Sequence, residues 1–476
     1  MTESSIAARN PGTIELTVNK PGPATGRAQD PALPPGPKGP KTLQIGRFLL
    51  QPTAFLDSCQ RRYGDYFTLR LPNRTSVISS DPAAVKTVFT GDPEQLLAGR
   101  SNAILQPILG DRSVLLLDGR EHLRQRRLLL PPFHGERMQA YAETMRAVAE
   151  RAVASWPRGR EFPVQPSMQA ITLEVILRTV FGIEGGERVE RVGAPLRRLL
   201  DATASQSRLL ALQLTSSEAP RPRSPWGRFN ALVAEADRVV YEEMQARRST
   251  LGEGGHEDVL SLLLAARDEE GRPLTDLELR DELMTLLLAG HETTATALSW
   301  TLERLVRHPA ALARLSEEHR AGETDYLDAT IKEALRLRPV VPGVIRRLQR
   351  PLTIGGMDLP EGVHIAPSIY LIHRRPDVYP DPEAFRPERF LGDDQPGTYE
   401  WLPFGGGIRR CLGASFALYE MRMVLAAILR LATLETTADE PEAVRRRFVT
   451  FTPAHGGRVR VSDLTPARPA AARVTA

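Results

Sequence analysis

Phe404-Gly405-Gly406-Gly407-Ile408-Arg409-Arg410-Cys411-Leu412-Gly413 precedes an amphipathic helical run over residues 414–431 and is the most specific stretch of the chain. Its three glycines permit a tight backbone around one cysteine. The helix that follows aims its amide dipoles at that sulfur, which lowers the cost of a thiolate. A thiolate is what a metal ion would need, so Cys411 is the candidate metal ligand. Two nucleotide readings of the glycines fail, because no Gly-Lys-Ser/Thr follows them and the G-x-G-x-x-G spacing is absent. An isolated cysteine in a large protein is ordinarily a buried, inert thiol. The surrounding glycines and Arg409 argue against that reading here.

Upstream, the longest apolar periodicity runs from about 276 to 308. That exceeds an ordinary helix of roughly 8 to 20 residues and predicts one that traverses the whole domain. Its apolar stretch, 283–290, stops at His291-Glu292, short of the about 18 residues a bilayer span requires. The middle reads Ala289-Gly290-His291-Glu292-Thr293-Thr294. Glycine costs about 0.8 to 1.0 kcal/mol in a helix interior, and hydroxyls bond back to carbonyls and bend or open the ladder. The expectation is a locally widened groove lined by Glu292 and Thr293; a solvent-facing polar turn is the competing reading. Zinc is excluded, since the position for a second metal histidine after His291-Glu292 is Ala295.

Helical patterns also begin after the cap Asp81-Pro82 and cover 119–130, 137–155, 166–182 and 226–248. Strand-like runs are few: 66–71 with 76–79, 352–365 and 448–461. The fold class is therefore mainly α with small β-sheets. Cys59, beside Leu56 and Tyr63, reads as packing in a helix. Residues 1–40 concentrate proline and glycine without periodicity and read as a flexible leader; 41–476 read as one domain. The 476 residues are 41% hydrophobic and 25% charged, which excludes disordered, coiled-coil and polytopic membrane classes. Lys+Arg (62) and Asp+Glu (58) are interspersed, leaving +4 and no basic stripe for nucleic acid. The basic residues are almost all arginine, a compositional habit. Two cysteines fit a reducing cytoplasm, and no stretch near Met1 resembles a signal peptide or membrane anchor.

Phe404, Gly407, Arg409, Cys411 and Gly413 match residue for residue the cysteine-loop signature of the cytochrome P450 haem-thiolate monooxygenases, which the chain resembles from about 34 to 461. Residues 289–293 resemble that family's oxygen-activating motif. Glu333-Ala334-Leu335-Arg336 and Pro387-Glu388-Arg389-Phe390 look like the parts of its salt-bridged triad, implying structural roles for Glu333, Arg336 and Arg389. The resemblance implies a triangular helical prism with haem b between the long central helix and the cysteine-loop helix. Covalent haem attachment is not expected without Cys-x-x-Cys-His. It further implies Cys411 as iron ligand, Phe404 beside the cofactor, and His122, Arg126, Arg409 and Arg346 (or its neighbour Arg347) on the haem carboxylates. Glu292 and Thr293 would be the catalytic proton relay.

The same resemblance implies insertion of one atom of O2 into a C–H bond or double bond. A peroxide-driven oxygenase or haem-thiolate isomerase resembles members lacking this acid and threonine; a haem sensor or electron carrier would need no relay. The implied pocket comprises 96–112, about 185–230, Leu286, Ala289, Gly290, Val341, Gly343 and Phe448. Leu105, Ile108 and Leu109 make it apolar, suited to a lipophilic fatty acid, terpenoid or polyketide. With no reductase module expected and too few cysteines for an iron–sulfur cluster, electrons should come from a separate ferredoxin or flavodoxin with its reductase. That partner is expected to dock on arginines such as Arg410, Arg124 and Arg127. A cytoplasmic, bacterial-type monomer with no nucleic-acid partner completes the expectation.

Overall fold

A computed structural model describes residues 33–71, 74–133, 137–204, 222–250 and 258–464. Most of the leader (1–32), part of the expected pocket (205–221) and the tail from 465 lie outside them.

The fold is built around one helix, Asp276–Val306. Its start is set by a capping box, in which the Thr275 hydroxyl accepts from Glu278 N–H while the Glu278 carboxylate accepts from Thr275 N–H. Other helices surround it: Gln165–Thr179, Pro225–Ser249, Asp325–Leu337 and the cysteine-loop helix Ala414–Leu431. It is therefore buried on nearly every side, which is why its polar residues must find partners inside the protein. Met145, Ile171, Leu283, Leu298, Val424 and Ile428 fill the main core between these helices.

Among the described residues the strands make four small sheets. β1 (Tyr66–Leu71), β2 (Arg74–Ser79), β3 (Leu96–Leu97), β5 (Arg346–Leu348) and β8 (His364–Pro367) form one, in the order β1-β2-β8-β5-β3. Only the β2–β8 pairing in it is parallel. β4 (Glu161–Pro163), β12 (Arg458–Leu464) and β9 (Ala432–Leu434) form a second. β6 (Leu352–Ile354) with β7 (Met357–Leu359), and β10 (Val444–Arg447) with β11 (Thr450–Pro453), are hairpins. The second hairpin is pinned to the central helix by the Trp300 indole N–H on the Phe451 carbonyl at 2.9 Å.

Residues 33–40 differ from the flexible leader expected there. Thr68 of β1 donates its hydroxyl to the Pro34 carbonyl (2.7 Å) and its N–H to the Pro35 carbonyl (3.1 Å). Gly36 lies so close to Thr68 that a Cβ would fall 2.0 Å from its carbonyl oxygen. Proline carbonyls are free acceptors, so a strand edge can order a segment that its composition leaves unstructured.

Candidate functional site

The cysteine loop is folded by its glycines. Gly405 and Gly407 take φ of 66° and 64°, the left-handed region that side chains disfavour. A Cβ on Gly407 would lie 1.8 Å from the Phe89 carbonyl oxygen, and one on Gly406 would press into the Phe89 ring. The loop thus sits directly on the end of the helix Pro82–Thr90. It closes through Cys411 N–H on the Phe404 carbonyl (2.9 Å) and Arg410 N–H on the Gly407 carbonyl (3.0 Å). Cys411 is exposed, yet burial is the largest influence on its thiol and pushes its pKa up, opposed by the Gly413 N–H, Arg126 and Arg410. Cys59, by contrast, is buried among Phe55 and Leu56, and burial pushes its thiol up to about 11.

Around this loop the chain gathers cations. His122 and Arg126 share a face of the helix Gly119–Leu129, Arg346 comes from β5, and Arg409 from the loop itself. Strand alternation separates Arg346 from its neighbour: Arg346 is buried towards Arg409 and His122, while Arg347 acts on His364 on the other face. His122 is driven down to about 3 by burial and by Arg409, Arg126 and Arg346, so it is neutral at pH 7, and its Nδ1 has no hydrogen-bond partner. Burial lowers Arg346 to about 10, and its side chain donates to the adjacent Ile345 carbonyl at 3.0 Å. Arg126 makes no ion pair among the described residues. The one carboxylate answering the group is Asp118, 2.8 Å from Arg409 Nη2 and also accepting from the Ala98 and Gly99 N–H groups. Asp118 was not legible as a partner in the sequence. Three clustered arginines, Arg346 buried and Arg126 and Arg409 half-buried, with one acid among them in the described residues call for a ligand carrying carboxylates.

In the central helix, Ala289 alone is exposed within residues 279–306, with Leu286 and Thr293 half-buried on the same face. The helix is continuous here. Thr293 donates its hydroxyl back to the Ala289 carbonyl at 2.6 Å, as its place in the helix interior led us to expect. Gly290 faces elsewhere: a Cβ there would touch Ile176 at 3.1 Å, so close packing of Gln165–Thr179 explains this glycine, and it is removed from the pocket. His291 is buried against Thr172, 2.9 Å from Nδ1, and burial lowers it to about 3. Glu292 accepts from Gln169 Nε2 at 2.8 Å and lies 3.2 Å from Arg447 Nη1. Burial raises its pKa against the pull of Arg447 and Gln169. Arg447 was missed in the sequence, as was Glu420 of the cysteine-loop helix. Glu420 is fully buried beside the Thr294 hydroxyl without a well-directed hydrogen bond, and burial raises it far above the usual carboxylate range.

Val341 and Gly343 are half-buried on the approach to β5, Gly343 so close to Pro367 that a Cβ would lie 2.8 Å from its carbonyl oxygen. Phe448, at the tip of the β10–β11 hairpin, has φ of 55°, a strained setting for an aromatic residue. Glu333 and Arg336 are fully buried and joined by two bonds of 2.8 and 2.7 Å, with Arg389 Nε 3.5 Å from Glu333. Two expected docking arginines are already engaged: Arg124 with Asp268 and Glu278, at 2.6 and 2.7 Å, and Arg127 with Glu269. Arg410 is exposed.

The Cytochrome P450 family model matches residues 33–457. The chain belongs to the cytochrome P450 family. This P450 is 43% identical over 436 residues to a Mycobacterium tuberculosis protein named as cytochrome P450 135B1, covering 90% of this chain and 91% of that one. It is 41% identical over 430 residues to cytochrome P450 138 of the same organism, covering 90% and 96%. Among solved structures it resembles the retinoic acid-bound cyanobacterial CYP120A1, with TM-score 0.79, 26% identity and coverage of 91% and 100%. It also resembles the cytochrome P450DA heme domain, with TM-score 0.80, 25% identity and coverage of 91% and 98%. The P450 is accordingly a haem-thiolate monooxygenase that binds haem b. The exposed thiol of Cys411 and the under-balanced cations beside it fit that group. No helix among the described residues is long and apolar enough to cross a membrane.

Proposed function

We propose that this P450 inserts one atom of O2 into a lipophilic small molecule of fatty acid, terpenoid or polyketide type, by hydroxylation or epoxidation, using electrons from a separate ferredoxin or flavodoxin with its reductase. The observation that carries the reading is the Leu286–Ala289–Thr293 face: the one exposed patch on this helix beyond its first turn, apolar at one end and ending in a hydroxyl. Val341, Gly343 and Phe448 would complete the pocket wall.

Cys411 would hold the iron, beside Phe404, while His122, Arg126, Arg346 and Arg409 would bind the two haem carboxylates. When bound, the thiolate-ligated haem supplies O2 activation. The side chains of this P450 then have one chemical task, to bring protons to the distal face, and Glu292 with Thr293 would perform it. Glu333, Arg336 and Arg389 would hold the approach to the loop. The catalytic unit would span 41–476, with the ordered 33–40 segment attached to it, and act as a cytoplasmic monomer, a location that two unpaired cysteines suit.

Two measurements on the haem-loaded protein test this. A panel of lipophilic compounds should include some that shift the haem absorption on binding, and polar analogues should not. NAD(P)H should be consumed only when a ferredoxin or flavodoxin and its reductase are added, at a rate that falls as salt rises. Turnover by the purified chain with NAD(P)H alone would refute the partner requirement.

A further inference from the structure

Glu292 stands between two donors on different elements. Gln169 Nε2 of the helix Gln165–Thr179 bonds Oε2 at 2.8 Å, and Arg447 Nη1, from the end of β10, approaches Oε1 at 3.2 Å. Oε1 itself lacks a well-directed hydrogen bond, so Arg447 holds it by charge more than by a fixed bond. The other groups facing the carboxylate are Asp201 of the helix Gly186–Ala204, which opposes its charge, and Thr296 of its own helix. His291, the preceding residue, is neutral at pH 7. Among the described residues Arg447 is the cation that acts on this acid.

The arginine also reaches outward. Together with Gln165, Arg445, Arg446, Thr452 and Gly456 it lines a polar cleft between the C-terminal hairpin and the start of the helix Gln165–Thr179. The hairpin cannot simply drift, because Trp300 and Val340 bond the Phe451 backbone at 2.9 and 2.7 Å. Its tip is the strained Phe448. One side chain thus spans from a water-accessible cleft to the half-buried acid of the central helix.

We propose that Arg447 is a positioning residue that holds the Glu292 carboxylate ionised at the inner end of this cleft, which makes the cleft beneath the C-terminal hairpin the water side of the proton relay. The inference rests on the relay role given to Glu292 above. A proton from bulk solvent, handed on by cleft water that is itself reprotonated from solvent, adds to Glu292 Oε1, which neutralises the acid and removes its attraction to Arg447. The neutral acid passes that proton towards Thr293 and returns to the carboxylate, so no charge accumulates. Thr293 can take part without breaking the helix, because its O–H donates to the Ala289 carbonyl while its oxygen lone pairs remain free.

The test uses the haem-loaded protein and the variants Arg447→Gln, Arg447→Lys, Glu292→Gln and the double variant Arg447→Gln/Glu292→Gln. Infrared difference spectra against pH report the carboxyl band that Glu292→Gln removes. Arg447→Gln should move that band's titration upward by about one pH unit, within the range for losing an adjacent opposite charge, and Arg447→Lys should largely restore it. The pH profile of O2 consumption, driven without substrate by a surrogate ferredoxin and its reductase, should move in the same direction, and only when Glu292 is present. An unmoved carboxyl titration overturns the proposal. So does an Arg447→Gln effect on O2 consumption that is equally large in the Glu292→Gln background, since the arginine would then act on the hairpin alone. A moved titration together with an O2 profile that Glu292→Gln leaves untouched would instead remove the relay role from Glu292, and with it the reading on which the proposal rests.

Discussion

Replacing Glu333 by alanine should destabilise the protein heavily, and the size follows from what Arg336 would be left with. Both side chains are fully buried. The guanidinium meets the carboxylate twice, at 2.7 and 2.8 Å, and also donates to the carbonyls of His373, Pro382 and Ala384 at 2.8, 2.8 and 3.1 Å. Those carbonyls solvate Arg336 but carry no charge, so the variant leaves a buried cation uncompensated, which costs about 3 to 5 kcal/mol. The Arg386 N–H, now 2.8 Å from Glu333 Oε1, would lose its acceptor as well. The damage should spread towards the cysteine loop, since His373 meets the Arg336 carbonyl through Nδ1 (3.1 Å) and accepts from Leu402 N–H through Nε2 (2.8 Å). Urea unfolding of the haem-loaded protein, followed by far-UV circular dichroism, would show the loss as a lower midpoint at unchanged slope. Glu333→Gln, which keeps acceptors in place, should lose markedly less. A midpoint shift worth less than about 1 kcal/mol for Glu333→Ala, the range of an exposed pair, would refute the reasoning.

Gly407→Ala should lower the haem bound per chain several-fold while far-UV circular dichroism stays close to wild type. The added carbon meets the Phe89 carbonyl at a positive φ, a strain on the order of 2 kcal/mol confined to the loop; full haem occupancy would count against it. Thr293→Ala should keep consuming reductant while product per reductant falls by about tenfold or more and peroxide rises; unchanged coupling would transfer the hydroxyl's role to Thr294. Asp268 is held below the usual carboxylate range by its bonds with Arg124 and Arg272. Its stabilising effect is therefore present above about pH 4 and lost as the pH falls further. Arg124→Gln should flatten that acid limb of the urea midpoint; an identical limb in the variant would contradict it.

The parts of this P450 that were legible in its sequence are those where local backbone chemistry dictates the residue. Gly405 and Gly407 both take positive φ, and at Gly407 the Phe89 carbonyl also leaves no room for a Cβ. The cysteine-loop helix spans Ala414–Leu431, the run its periodicity predicts, and the central helix ends at Val306, two residues short. What stayed hidden depends on chain segments meeting across the fold. Arg124 and Arg127 looked free because the acids that take them, Asp268, Glu278 and Glu269, lie far along the chain. The Arg447 contact with Glu292 is of the same kind, and so is the ordering of Pro34 and Pro35 by Thr68. Glu420 sits in a helix whose pattern shows which face is buried, but not that this position is enclosed on all sides.

The central claim, that Cys411 presents a thiolate to haem iron at this loop, is tested most directly by the absorption spectrum of the reduced, CO-bound protein. The account predicts the red-shifted Soret band of a thiolate-ligated haem in the wild type and its loss in Cys411→Ser, with monooxygenase activity lost alongside. A Cys411→Ser protein that keeps the thiolate band, or a wild type whose reduced CO complex lacks it, would contradict the claim.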